Sequence, residues 1–279
     1  MFKSEWKPAT CLPAGRLNCR GFQVRKPRRL VSGFLTFLLF LSLVAPSLAY
    51  SFAVFGDNQG NYPVLKAMIA KIKQEKGLDF IVSVGDVVPY GEEAHYIKYK
   101  KLIGELSLPL YQTIGNHDAV GGGWKIFEKY FGPRYYTFDY QGDRFIVLDN
   151  SLSQSFDSVQ FSWLKEQLAK PGAGHKFVIM HKPVFDPSEL YKDHIMSSRA
   201  VTEELIRLFT KYKVDYVLAG HIHGYARSER NGVTYIVSAG AGGPLYLPPQ
   251  FGGFFNYVII TVDPNRISDR VVHIYDQEQ

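Results

Sequence analysis

Ile114-Gly115-Asn116-His117-Asp118 places an amide oxygen, an imidazole and a carboxylate on three consecutive residues. The apolar positions just before it, Leu108, Leu110, Tyr111 and Ile114, read as a buried strand. Four more stretches share this layout, a hydrophobic strand running at once into side chains able to bind metal. Residues 51–55 lead into Gly56-Asp57-Asn58-Gln59, and residues 80–84 into Gly85-Asp86. Residues 177–180 lead into His181, and residues 214–219 into Gly220-His221-Ile222-His223. In open α/β sheets ligands bind beyond the carboxyl ends of the strands, so five such ends predict one shared rim.

Helical spacing fills the gaps between these strands. Val64, Leu65, Met68, Ile69 and Ile72 form one stripe of a helix predicted over 61–77, with Pro63 in its first turn. Tyr99, Leu102, Ile103 and Leu106 do the same over 92–106, and further helices fit 159–169 and 199–212. The resulting β-α-β-α-β order predicts a parallel-type sheet covered by helices. Gly121-Gly122-Gly123 reads as a flexible turn, 135–140 with 144–148 as a hairpin, and 233–238, 256–262 and 270–275 as late strands. No repeat or low-complexity linker interrupts 50–279, so one α/β domain is expected there.

Of the 279 residues, 46% are hydrophobic and 15% aromatic, enough for a large core and inconsistent with disorder. The formal net charge is +6, yet residues 1–49 hold eight Lys and Arg against Glu5, a net of +7, which leaves 50–279 at −1. A near-neutral domain lacks the basic footprint of a nucleic-acid binder, so no long nucleic acid is expected as partner. Both cysteines, Cys11 and Cys19, fall in the basic leader, which excludes a disulfide framework or a thiolate metal site in the domain. Residues 30–49 are apolar, follow a cluster of Arg and Lys, and end in Ser47-Leu48-Ala49. That pattern predicts a secretory signal peptide cut after Ala49 or, if uncleaved, a membrane anchor with the domain on the outer face. Either outcome makes the domain extracytoplasmic.

Imidazole combined with carboxylate and amide oxygen suits Mn, Fe or Zn. A carboxylate such as Asp86 can bridge two cations about 3.5–4 Å apart. A hydroxide shared by two cations is a nucleophile at neutral pH, and the same charges neutralise the oxygens of a phosphate under in-line attack.

The set Gly56-Asp57-x-Gln59, Gly85-Asp86, Gly115-Asn116-His117-Asp118, His181 and Gly220-His221-x-His223, in this order, resembles the calcineurin-like metallophosphoesterase superfamily. The resemblance covers roughly residues 51–275 and implies a four-layer sandwich, two mixed β-sheets flanked by helices. It implies two divalent or trivalent metal ions and hydrolysis of a small phosphorylated substrate, a phosphomonoester or phosphodiester. Carried over by position, Asp57, Asp86 and His223 would hold one metal, and Asp86, Asn116, His181 and His221 the other. His117 would assist the leaving oxygen, and Asp118 would hold its ring in the useful tautomer. Gln59 departs from the pattern, since many members have His there; as a ligand it would offer a weaker, neutral oxygen. Purple acid phosphatases, one branch, carry Tyr three residues after the bridging Asp, where this chain has Pro89 followed by Tyr90. A second reading, a metal-binding or interaction module that kept the fold and lost the chemistry, is supported by Gln59 alone.

Overall fold

The computed structural model describes residues 49–264 and 266–275. The expected leader up to residue 48 lies outside the described residues. Among those described, no helix is long and apolar enough to cross a membrane.

The first half runs β1 (Tyr50–Phe55), α1 (Tyr62–Ile72), β2 (Phe80–Ser83), α2 (Glu93–Ile103), β3 (Leu110–Gln112), α3 (Asn116–Ala119) and α4 (Gly123–Phe131). The second runs β4 (Tyr136–Tyr140), β5 (Asp143–Val147), α5 (Ser158–Ala169), β6 (Lys176–Ile179), α6 (Arg199–Lys211), β7 (Tyr216–Ala219), β8 (Tyr225–Arg230), β9 (Val233–Ser238), β10 (Asn256–Asp263) and β11 (Arg266–His273). These strands form two sheets, ordered β11-β10-β1-β2-β3 and β4-β5-β6-β7-β9-β8. Both are mixed. The parallel pairing expected from sequence covers β1-β2-β3, while β10 lies antiparallel on β1 and carries β11. In the second sheet β5, β6, β7 and β9 run parallel, with antiparallel β4 and β8 at the edges.

Period-two alternation divides the buried apolar side chains of the strands among three layers. On β1, Phe52 and Val54 face the other sheet, whereas Ala53 and Phe55 face the helices. Phe145 with Phe177 and Ile146 with Val178 split the same way on β5 and β6. Helices α1, α2 and α4 cover the first sheet through Leu65, Tyr99 and Phe127, and α5 and α6 cover the second through Leu164 and Phe209. The result is the four-layer sandwich. Its middle layer is aromatic: Phe52 stacks on Phe80 at 4.8 Å and Phe145 on Phe177 at 4.6 Å between ring centres.

Several local expectations are corrected. Helix α1 begins where Asn61 caps it, accepting from Val64 N, but stops at Ile72 instead of 77. The glycine run expected as a flexible turn is a tight 3-10 turn (Val120–Gly122) opening into α4, which buries Phe127. Strand β8 carries Arg227, Glu229 and Arg230 on an exposed edge, so it has no apolar signature; the last strand starts at Arg266, not 270.

Candidate metal centre

The ends of β1, β2, β6 and β7 lie side by side and are stitched together by backbone bonds. Asp57 N donates to Gly85 O at 2.9 Å, Gln59 N to Asp86 O at 2.9 Å, and Gly220 N to His181 O at 2.9 Å. At the turning points Asp57, Gln59, Asp86 and His221 have φ of 60°, 45°, 53° and 71°. Left-handed backbone at non-glycine residues costs roughly 1–3 kcal/mol each and persists only where the surroundings over-determine it. Here it bends the chain so sharply that each side chain turns back across the rim. Glycine is required in between: a Cβ on Gly115 would overlap the Asp86 carboxylate and amide, and one on Gly85 (φ +98°) would lie 2.8 Å from His181 Nδ1.

Two groups of ligand atoms result. Asp57, Asp86 and His223 form one, and Asp86, His181 and His221 the other, with all ligand atoms in each group within 4.8 Å of one another. Asp86 belongs to both. Asn116 joins the second group through Oδ1, 2.9 Å from His181 Nε2. Among these carboxylates and imidazoles, Asp57, Asp86 and His181 are fully buried and His223 is 1% exposed.

Backbone carbonyls orient the rings. His181 Nδ1 lies 2.9 Å from Val84 O and His223 Nδ1 2.6 Å from Pro244 O. A carbonyl facing Nδ1 fixes the proton there and aims Nε2 at the site, the usual support of a metal-binding histidine. Electrostatics follow from burial. Burial pushes Asp57 up. It also opposes ionisation of Asp86, but the charge and hydrogen bond of His181, 3.4 Å away, pull that carboxyl well below its usual range. Burial disfavours the His181 cation, yet Asp86 outweighs it and raises the ring to about 9. His221, facing His181 at 5.0 Å between ring centres, is pushed down to about 2 by burial and by that neighbouring charge. A neutral His221, two buried carboxylates and rings locked by carbonyls are the donor set of a borderline-hard cation, which would offset the cost of burying the carboxylates.

One role read from sequence changes. Asp118 does not hold the His117 ring; His117 Nδ1 meets Pro89 O at 2.7 Å instead. The Asp118 carboxylate accepts from the backbone of Asp86 (2.8 Å), Gly115 (2.8 Å), Val87 (3.0 Å) and Val88 (3.1 Å). It therefore cinches the loop after β2 to the loop after β3, fixing Asp86 relative to Asn116. Burial and the nearby Asp86 charge push it up to about 7, against the pull of those donors. Gln59 Nε2 is 3.1 Å from His223 Nε2 and 3.3 Å from Asp86 Oδ2. The Gln59 amide thus lies against Asp86 and His223 of the first ligand group.

His117 is half-buried, and its backbone N donates to Asp86 Oδ1 at 2.8 Å. Tyr90 is 60% exposed, with its ring 6.4 Å from that of His117. Across the rim Tyr246 stacks on His223 at 4.1 Å, and His194 sits 6.1 Å from His221 and 5.5 Å from Tyr246. The orienting carbonyls of Val84, Pro89 and Pro244 leave no mark in a sequence, because every residue has one.

A family model described as calcineurin-like phosphoesterase matches residues 50–225. Purple acid phosphatase 23 of Arabidopsis thaliana is 31% identical over 122 residues, 43% of this chain and 25% of that protein. A 3′,5′-cyclic-nucleotide phosphodiesterase of Nostoc is 25% identical over 166 residues, 58% of this chain and 62% of that protein. The chain thus spans only part of the length of the curated relatives it matches. In fold it is similar to a purple acid phosphatase from seeds of yellow lupin (Lupinus luteus), with TM-score 0.69 at 18% identity, covering 83% of this chain and 52% of that one. With the family model matching more than half its length, the chain belongs to the calcineurin-like phosphoesterase family.

Proposed function

We propose that the chain is a phosphoesterase that hydrolyses a small phosphorylated substrate at a two-metal centre. The observation that carries this reading is the sharing of Asp86 between two ligand groups. Asp57, Asp86 and His223 would hold one cation, and Asp86, Asn116, His181 and His221 the other. Two cations so placed supply an activated water and neutralise the phosphate oxygens on which charge develops.

The protein's own residues do the rest. Carbonyl-locked His181 and His223 keep their Nε2 atoms aimed inward. Asp118 holds Asp86 and Asn116 in register. His117, its Nδ1–H donating to Pro89 O, turns Nε2 toward the leaving oxygen, and in its doubly protonated form would give that oxygen the Nε2 proton. Tyr246 and His194 wall the opposite side and limit water. Export of the domain is supported by the apolar run 30–49 behind its basic cluster.

Reconstitution of metal-free protein with Mn, Fe or Zn, followed by assays on aryl phosphate mono- and diesters, tests the proposal. Metal-dependent release of the phenol is expected. Two bound metals with no turnover of any ester would favour the non-catalytic module.

A further inference from the structure

The strap Gly240-Ala241-Gly242-Gly243 runs beside the first ligand group without belonging to it. Where it meets the start of α1, a cavity of about 480 Å³ opens, lined by Gln59, Gly60, Asn61, Gly242, Pro244 and Phe255. Contacts tie this cavity to the centre on two sides. Gln59 lines it with one end of its amide against His223 and Asp86, and Pro244 O holds His223 Nδ1 at 2.6 Å. Gly60 packs on Pro89, where a Cβ would lie 2.9 Å from the proline ring, and Pro89 O meets His117 Nδ1. The cavity therefore adjoins both the first cation's ligands and the residue that positions the leaving-group histidine.

Its walls are fixed. Asn61 Nδ2 donates to Gly242 O at 2.8 Å, and Gly243 N donates to Asp57 O at 2.6 Å. The approach is so close that a Cβ on Gly242 (φ +150°) would lie 2.8 Å from Asn58 O, and one on Gly243 2.7 Å from His223 Cε1. Its chemistry is neutral. No Lys, Arg, His, Asp or Glu lines it, so it offers nothing to a second phosphate or to an ammonium. Phe255 is half-buried, packed on the layer between the first sheet and its helices while it lines the cavity. The far end of the Gln59 amide makes no hydrogen bond among the described residues. One aromatic ring and one amide with a free polar end, in a space of this size, match a flat, uncharged ring with polar atoms on its edge.

We propose that this cavity receives the organic part of the substrate, with a flat, uncharged heterocycle on Phe255 and its edge on the free end of Gln59. The preferred substrate class is then a phosphate ester whose alcohol carries such a ring, as a nucleoside does. This rests on the phosphoesterase reading, and the test separates the two.

Metal-loaded full-length protein is assayed on adenosine 5′-monophosphate and on ribose 5-phosphate, which carries the same phosphate and sugar without the base. KM should be about tenfold lower for the nucleotide, the worth of one stacked base; equal values would overturn the subsite. Phe255→Leu keeps the bulk and loses the aromatic face. It should raise KM for the nucleotide about tenfold and leave KM for ribose 5-phosphate and kcat for both unchanged, while Phe255→Tyr should behave as wild type. An equal rise for both compounds, or no rise for either, refutes the subsite. In parallel, adenosine alone is titrated into metal-free protein and followed by saturation-transfer NMR. Transfer to the base protons is expected with wild type and Phe255→Tyr and not with Phe255→Leu; no transfer with wild type, or equal transfer with all three, overturns the assignment. Should no metal support hydrolysis of either compound, the phosphoesterase reading fails while the adenosine titration still decides whether the ring subsite exists.

Discussion

Replacing His117 with alanine separates catalysis from metal binding. The ring is half-buried and makes one bond, to Pro89 O, so its removal should cost roughly 1 kcal/mol of stability. The contact that matters to the centre is the backbone N–H to Asp86 Oδ1, which alanine retains, so both ligand groups should keep their geometry. Turnover should nonetheless collapse. A positioned general acid contributes roughly 10²–10⁴-fold, equivalent to about 2.7–5.4 kcal/mol of barrier at 1.36 kcal/mol per tenfold. The assay compares kcat for aryl phosphates whose phenols differ in acidity, with metal content measured on the same samples. Phenyl phosphate, with its poor leaving group, should lose more than nitrophenyl phosphate, which needs little proton donation. Unchanged turnover of phenyl phosphate in a fully metallated variant would refute the role. Loss of metal would show that the ring is a ligand after all.

Three further outcomes follow from the same geometry. Asp118→Ala strips the acceptor from four buried N–H groups; at roughly 1–2 kcal/mol each, less the relief of a buried charge, urea unfolding should show a loss of about 3–5 kcal/mol, and a change under about 1 kcal/mol would deny the cinching role. Gln59→Ala should keep both metals with weakened affinity, and Gln59→His should tighten the first site; a one-metal Gln59→Ala protein would make the amide a true ligand. His181 is raised to about 9 because Asp86 outweighs burial, so its proton stabilises the metal-free fold fully below the unfolded value near 6.5 and the contribution is lost as pH rises through about 9. Metal must displace that proton, so calorimetry between pH 7 and 9 should show proton release on metal binding and affinity rising with pH; pH-independent binding would contradict it.

Much of this was legible in the sequence, for local reasons. Buried parallel strands are short apolar runs, and a run such as 233–238 is bounded by turn residues, so its limits coincide with β9. Motif order placed Asp57, Asp86, His181, His221 and His223 on one rim because each follows such a run. Long-range pairing was not legible: β10 pairs with β1 across some two hundred positions, and nothing in either strand names its partner or the division into two sheets. Helix α4 hid behind three glycines, and β8 behind its charges. At the site, residue types were readable but atoms were not. Asp118 turned to backbone N–H groups because burial demands partners for four of them, which left the His117 ring to a carbonyl. Likewise a Gln at 59 was readable, but not that its amide lies against Asp86 and His223.

The central claim is that Asp86 joins two cations. Anomalous diffraction from Mn-loaded crystals tests it most directly: two peaks about 3.5–4 Å apart are expected, one beside Asp57 and His223, the other beside His181 and His221, with the Asp86 carboxylate between them. A single peak, or two that do not share Asp86, would contradict it.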